Sequence, residues 1–149
     1  MAEAVFAIPG DLKSPTGGYA YDRRVMELLP AFGVSIVHLP LSADFPNPSA
    51  ADLAHAQREI ARLPTTATLL RDGLAWGAFP EGHLDCGGRR LIAVVHHPLY
   101  LETGLSHARK VELKASEEAA LARADHVVCT SRATARILRD ELSVDRDKI

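Results

Sequence analysis

Apolar residues fall in five short runs: residues 4–8 (AVFAI), 34–39 (VSIVHL), 67–70 (ATLL), 91–95 (LIAVV) and 126–129 (HVVC). All but the third are rich in Val or Ile, and all are nearly continuous rather than alternating. That is the pattern of strands covered on both faces of a parallel sheet. Between them the period becomes helical. Tyr21, Val25, Leu28, Leu29 and Phe32 share one helix face, and Pro30 should end or kink that helix near its last turn. Ser49 or Asp52 caps a second helix running to about Arg62, with Leu53, Ala56 and Ile60 inward and Pro64 as its stop. A third helix is predicted over 106–124. Its alanines blur the stripe, so either Val111–Ala115–Ala119–Ala122 or Leu113–Glu117–Leu121–Ala124 faces the core. A fourth starts at Ser131, with Ala135, Leu138 and Leu142 on one side. Residues 73–88 are Gly-rich and irregular, with Trp76 and Phe79 tucked over the core. No internal repeat or low-complexity tract appears.

Strands alternating with helices imply crossover connections, a mostly parallel sheet and a Rossmann-like, doubly wound α/β domain with helices on both faces. Such sheets bind ligands outside the carboxyl ends of their strands. Three places then matter: the loop over 9–18, the stretch 96–104, and Thr130–Ser131.

Composition narrows this little. With 149 residues, 47% apolar and 24% charged, the chain suits one ordinary globular domain. A net charge of −2 gives no footprint for nucleic acid. Two cysteines, Cys86 and Cys129, make no disulfide framework and point to a reducing cytoplasm. The segment MAEAVFAIPG lacks a basic leader, and no run has the roughly 18 apolar residues of a membrane span. Peripheral membrane contact stays open. The sequence stops after a helix on an apolar Ile149, as if a further strand were beginning, so the chain is expected to be one part of a longer protein.

The first loop, PGDLKSPTGG, is long for a strand-to-helix connection. Gly17 and Gly18 either let backbone approach a ligand, with helix N–H groups offered to an anion, or serve a turn that needs positive φ. No G-x-G-x-x-G and no Gly-Lys-Ser/Thr is present, so neither a dinucleotide fingerprint nor a P-loop is formed. Lys13 is either a phosphate partner or solvated. His96 and His97 sit where a buried strand emerges, and on extended backbone they point in opposite directions. One of them faces the site, to hydrogen-bond a sugar hydroxyl or phosphate or to act as a base. Glu102 and Thr103 either meet an acceptor or face solvent. His83, Asp85 and Cys86 match no usual metal-ligand spacing, so no metal is expected. Glu117 and Glu118 read as solvated, or paired with Lys110, Lys114 or Arg123 at helical spacing.

Four features carry a resemblance. They are strand one with its loop ending Gly17–Gly18; LIAVVHH with His96 at the strand end; Glu117 eight residues before Asp125; and ADHVVCTSRATARIL, which is similar to an Ala-Asp-x-Val-x-x-x-Ser motif. In this order they resemble the N-terminal domain of GT-B fold glycosyltransferases of the retaining family 4, over essentially the whole chain. The resemblance implies an acceptor-side domain of a nucleotide-sugar-dependent enzyme. It implies Gly17 and Gly18 at the donor diphosphate and His96, as catalytic residue, beside the transferred sugar. His97, Glu102, Thr103, Ser131 and Lys13 are cleft candidates. No cofactor is implied beyond the nucleotide sugar as donor substrate. The expected partners are a sugar, lipid or small-molecule acceptor and a C-terminal Rossmann-like donor-binding domain, in cis or trans. Residues 1–149 alone should be inactive.

Two other readings compete. A flavodoxin-like receiver would use Asp11, Asp72 and Thr130, but the first strand lacks an acidic pair and no lysine follows the last strand. A non-catalytic binding domain descended from a transferase is the other.

Overall fold

The computed structural model describes residues 2–83 and 85–149. Five strands form one parallel sheet: β1 (Ala2–Pro9), β2 (Val34–Leu41), β3 (Thr68–Asp72), β4 (Leu91–Val95) and β5 (His126–Cys129), in the order β2-β1-β3-β4-β5. Helices α1 (Gly17–Leu28), α2 (Ala50–Ala61), the short α3 (Gly73–Trp76), α4 (His107–Ala122) and α5 (Arg132–Glu141) make the connections. Strand β1 passes to β2 on one side, while the later strands add on the other. The order therefore reverses at β1, and a crevice opens beside the carboxyl ends of β1 and β3.

Two apolar layers hold the sheet. On one face Val5, Ala7, Leu69, Ala93 and Val95 meet Leu53, Ala56 and Ile60 of α2, Leu113 and Leu121 of α4, and Leu138 of α5. On the other face Phe6, Ile8, Leu70 and Val94 meet Tyr19, Tyr21 and Met26 of α1. Strands buried on both faces can be continuously apolar, which accounts for the runs of β1 and β4.

The predicted helix signals hold in most places. Ser49 and Asp52 act together: the Ser49 hydroxyl accepts the Asp52 N–H while the Asp52 carboxylate accepts the Ser49 N–H, a capping box. Ser106 and Ser131 cap α4 and α5. Of the two stripes offered for α4, the one through Leu113, Glu117 and Leu121 is buried, and Val111 is exposed. Trp76 and Phe79 are buried as expected, and they clamp something unexpected. The guanidinium of Arg71 lies 4.0 Å from each ring centroid, fully buried, and burial lowers its pKa to about 10. Leu84, inside the irregular stretch, lies outside the described residues.

Three expectations are corrected. Phe32 is not on a buried face; it is 79% exposed. Pro30 converts the chain to a 3₁₀ turn over Leu29–Phe32, and the tighter pitch throws the 3.6-residue stripe out of phase. Gly17 and Gly18 are not loop residues; they open α1, with Thr16 as N-cap and neither φ in the left-handed region. Strand β3 runs two polar residues further than its apolar run, through Arg71 and Asp72.

Candidate functional site

The cleft lies at the carboxyl edge of the sheet, at the switch point. It has a volume of about 200 Å³ and is lined by Thr16, Gly18, Tyr19, Asp72, Leu74, His96, His97, Leu99 and Glu102. Three elements converge there: the first turn of α1, the end of β3, and the turn after β4. A larger cavity, about 740 Å³, opens at the opposite edge beside Leu91 and His126. Its Arg89 is already committed to the backbone carbonyls of Leu63, Pro64 and Cys86.

The loop before α1 is shaped by side chains. Arg23 donates to the carbonyls of Leu12 (2.6 Å) and Ser14 (3.1 Å). Tyr19 donates to Pro9 O at 2.6 Å. Burial raises the Tyr19 pKa, and Asp72, Asp22 and Asp11 add to it, so the phenol keeps its proton. First-turn N–H groups have no intrahelical acceptor. Thr16 Oγ1 takes the N–H of Tyr19, which leaves those of Gly17 and Gly18 directed out of the helix.

His96 closes against this turn. Nε2 lies 2.9 Å from Asp22 Oδ1 and 3.7 Å from Asp72 Oδ2. Tyr21 meets the ring edge-on, with centroids 5.4 Å apart. Asp22 is wholly buried and Asp72 is 2% exposed. Burial alone would lower the His96 pKa, but the Asp22 hydrogen bond and the charges of Asp22 and Asp72 carry it above the ordinary value. Asp72 is pushed up to about 7 by burial and then by Asp22, against the Leu74 N–H and His96, which pull it down. Asp22, Asp72 and His96 are also the one group, among the described residues, whose ligand atoms all lie within 4.8 Å. A cation there would have to displace the Nε2 hydrogen bond.

The turn after β4 has its own anchor. Glu117, read from sequence as solvated or ion-paired, is buried. Its carboxylate accepts Leu99 N–H at 2.7 Å and Tyr100 N–H at 3.1 Å. Sequence spacing showed its position on the helix but not that the 3₁₀ turn Leu99–Leu101 folds onto it. Burial raises its pKa to about 7 against those two hydrogen bonds. A Cβ on Gly77 would stand 2.7 Å from Glu117 Cγ, so a glycine is needed there.

Of the candidates drawn from sequence, the structure brings Gly18, His96, His97 and Glu102 together. Gly17 sits one residue outside the lining, with open space where a Cβ would be. Thr103 and Lys13 are exposed and do not line the cleft. The Ser131 hydroxyl accepts the Thr134 N–H and donates to Thr134 Oγ1, a capping role away from the cleft. Asp22 was missed altogether. Asp72 had been considered only for a receiver; its burial and its bond to Leu74 N at 2.7 Å leave it closed to a phosphodonor. His83, Asp85 and Cys86 form no ligand cluster among the described residues.

A parallel sheet of this order, with helices on both faces and a polar cleft at its switch point, is a Rossmann-like α/β domain consistent with one half of a GT-B fold. The particular family follows from the sequence match. The model described as Glycosyltransferase Family 4 matches residues 74–149, half of the chain, and the chain belongs to that family. The matched part includes His96, His97, Glu102 and Glu117, whereas Gly17, Gly18 and Asp22 precede it. No curated protein matches the chain. Among the described residues no helix is long and apolar enough to cross a membrane.

Proposed function

We propose that the chain is the acceptor-side domain of a retaining glycosyltransferase that uses a nucleotide sugar. The observation that carries this reading is the meeting of the α1 N-terminus with His96 in one cleft: a Cβ on Gly18 would come within 3.1 Å of the imidazole. When the bond from sugar to diphosphate breaks, negative charge builds on the departing phosphate. Outward N–H groups at Gly17 and Gly18 and a histidine biased towards its cation are groups that stabilise such charge. His97 and Glu102, which line the same cleft, are offered to acceptor or sugar hydroxyls; Thr103, Ser131 and Lys13 lie outside its lining. In this reading the base and ribose are held by a C-terminal Rossmann-like domain, in cis or trans. The chain works in the cytoplasm, where its thiols stay reduced, with peripheral membrane contact reserved for a lipid acceptor.

The experiment is release of nucleoside diphosphate from a panel of donors with matched acceptors. Residues 1–149 alone should transfer nothing, and pairing with a donor-binding domain should restore transfer. In the paired enzyme His96→Ala should lower turnover more than His97→Ala. Robust turnover by residues 1–149 alone, or equal effects of the two substitutions, would overturn the reading.

A further inference from the structure

Asp22 has one carboxylate oxygen with a partner and one without. Oδ1 meets His96 Nε2 at 2.9 Å, whereas Oδ2 is buried with no geometric hydrogen-bond donor among the described residues. A buried polar atom left unsatisfied costs about 1–3 kcal/mol, more if charged. The neighbour able to relieve it is another acid. Asp72 points Oδ2 towards the same imidazole at 3.7 Å, while its Oδ1 accepts Leu74 N–H at 2.7 Å. Two carboxylates that share a buried site do not both ionise without large cost.

We propose that Asp72 carries a proton and donates it to Asp22, and that Asp22 is the anion that positions His96 as an imidazolium. Nε2 is then turned inward and Nδ1 is left to the cleft. Asp22 is the anion because it is the carboxylate in direct contact with the ring, at 2.9 Å against 3.7 Å. The remaining charge-bearing neighbours do not compete. Tyr21 and the ring form a T-shaped pair, Tyr19 donates its proton to Pro9 O, and His97 and Glu102 line the same cleft. The buried cluster sums to zero charge: one anion, one neutral acid, one cation. Its positive pole faces the cleft. Asp22 is thus a positioning residue, touching no substrate itself. Burial and then the Asp22 contact raise Asp72, and the Asp22 hydrogen bond and charge raise His96 against its burial, in agreement with this distribution. What the cation does for transfer rests on the function proposed above; where the proton sits does not.

The test is an NMR titration of the 149-residue chain labelled with ¹⁵N-histidine and ¹³Cγ-aspartate, in the presence of a chelator. The asymmetry is diagnostic. Asp22→Asn should lower the His96 pKa by at least one unit, a tenfold or larger shift in its protonation equilibrium. Asp72→Asn replaces one neutral donor by another and should keep most of the elevation. Should Asp22→Asn fail to fold, the unsubstituted chain still decides. One buried aspartate signal, lost in Asp72→Asn, should remain protonated at pH 6 while a second is already ionised. Equal falls in the two variants, a larger fall in Asp72→Asn, two ionised carboxylates at pH 6, or a His96 titration that changes when the chelator is left out would each overturn the proposal.

Discussion

A Cβ on Gly18 would stand 3.1 Å from Cδ2 of His96, whereas one on Gly17 would meet nothing within 4 Å. The adjacent glycines therefore serve different ends. Gly18 lets the imidazole lie flat on the first turn of α1; Gly17 is required by no contact and no positive φ.

Gly18→Ala should displace the His96 ring by a few tenths of an ångström. Small misplacements of a reacting group are costly, up to about 100-fold for 1 Å. Turnover of the paired enzyme should fall by about tenfold. Gly17→Ala keeps its N–H and should instead stabilise the chain by about 0.4–1 kcal/mol through the unfolded state. Denaturant midpoints and donor turnover on the two variants check this. A Gly17→Ala loss as large as that of Gly18→Ala would contradict it.

Stability should fall as pH rises from about 5 to 8. Asp72 is raised from 3.8 to about 7 and Glu117 from 4.5 to about 7, both chiefly by burial. An acid whose pKa is raised on folding stabilises fully below its unfolded value, and loses that contribution as pH climbs through its folded value. His96, also raised on balance, acts in the same direction above its ordinary value of 6.5. Each group can contribute up to about 1.4 kcal/mol per pH unit within its window. Urea midpoints at pH 5, 6, 7 and 8 should decline, and the combined Asp72→Asn, Glu117→Gln chain should show a flatter profile. A midpoint that rises towards pH 8 would refute the assignment.

Glu117→Gln replaces one of two carboxylate acceptors by an amide NH₂ beside a backbone N–H. A buried donor left without its acceptor costs about 1–3 kcal/mol, and that loss is expected to be largest at pH 5, because a Glu117 pKa raised on folding makes its contribution greatest at low pH. By pH 8 the native side chain has had to ionise where it is buried, so its contribution falls and the difference should shrink. Chemical denaturation at the two pH values measures it, with amide exchange at Leu99 and Tyr100 as the local readout. Equal losses at both pH values would show that folding does not raise the Glu117 pKa.

Much of this architecture could be read along the chain, and the reason is locality. Strands β1 and β4 appear as unbroken apolar runs because both their faces are covered. Ser49, Ser106 and Ser131 announce helix starts because a cap is settled within four residues. Pro30 and Pro64 end helices by their own geometry. Phe32 shows where the local rule gives out: the stripe was extended past a proline that had already changed the pitch.

The site was legible only in part. His96 and His97 could be found because a strand's end is visible in sequence and its carboxyl edge is where such sheets bind. Asp22 could not. Within YDRR it looks like any charged residue on a wet helix face. It is buried because a histidine 74 positions later arrives beside it. Glu117, 18 positions from Leu99, was misread for the same reason. Sequence by itself determined the alternation of strands and helices, their caps and the edge where chemistry gathers, since each depends on neighbours a few residues apart. The tertiary structure alone decided which polar groups are buried and which of them meet. Those depend on desolvation and on partners that only folding brings within 3 Å.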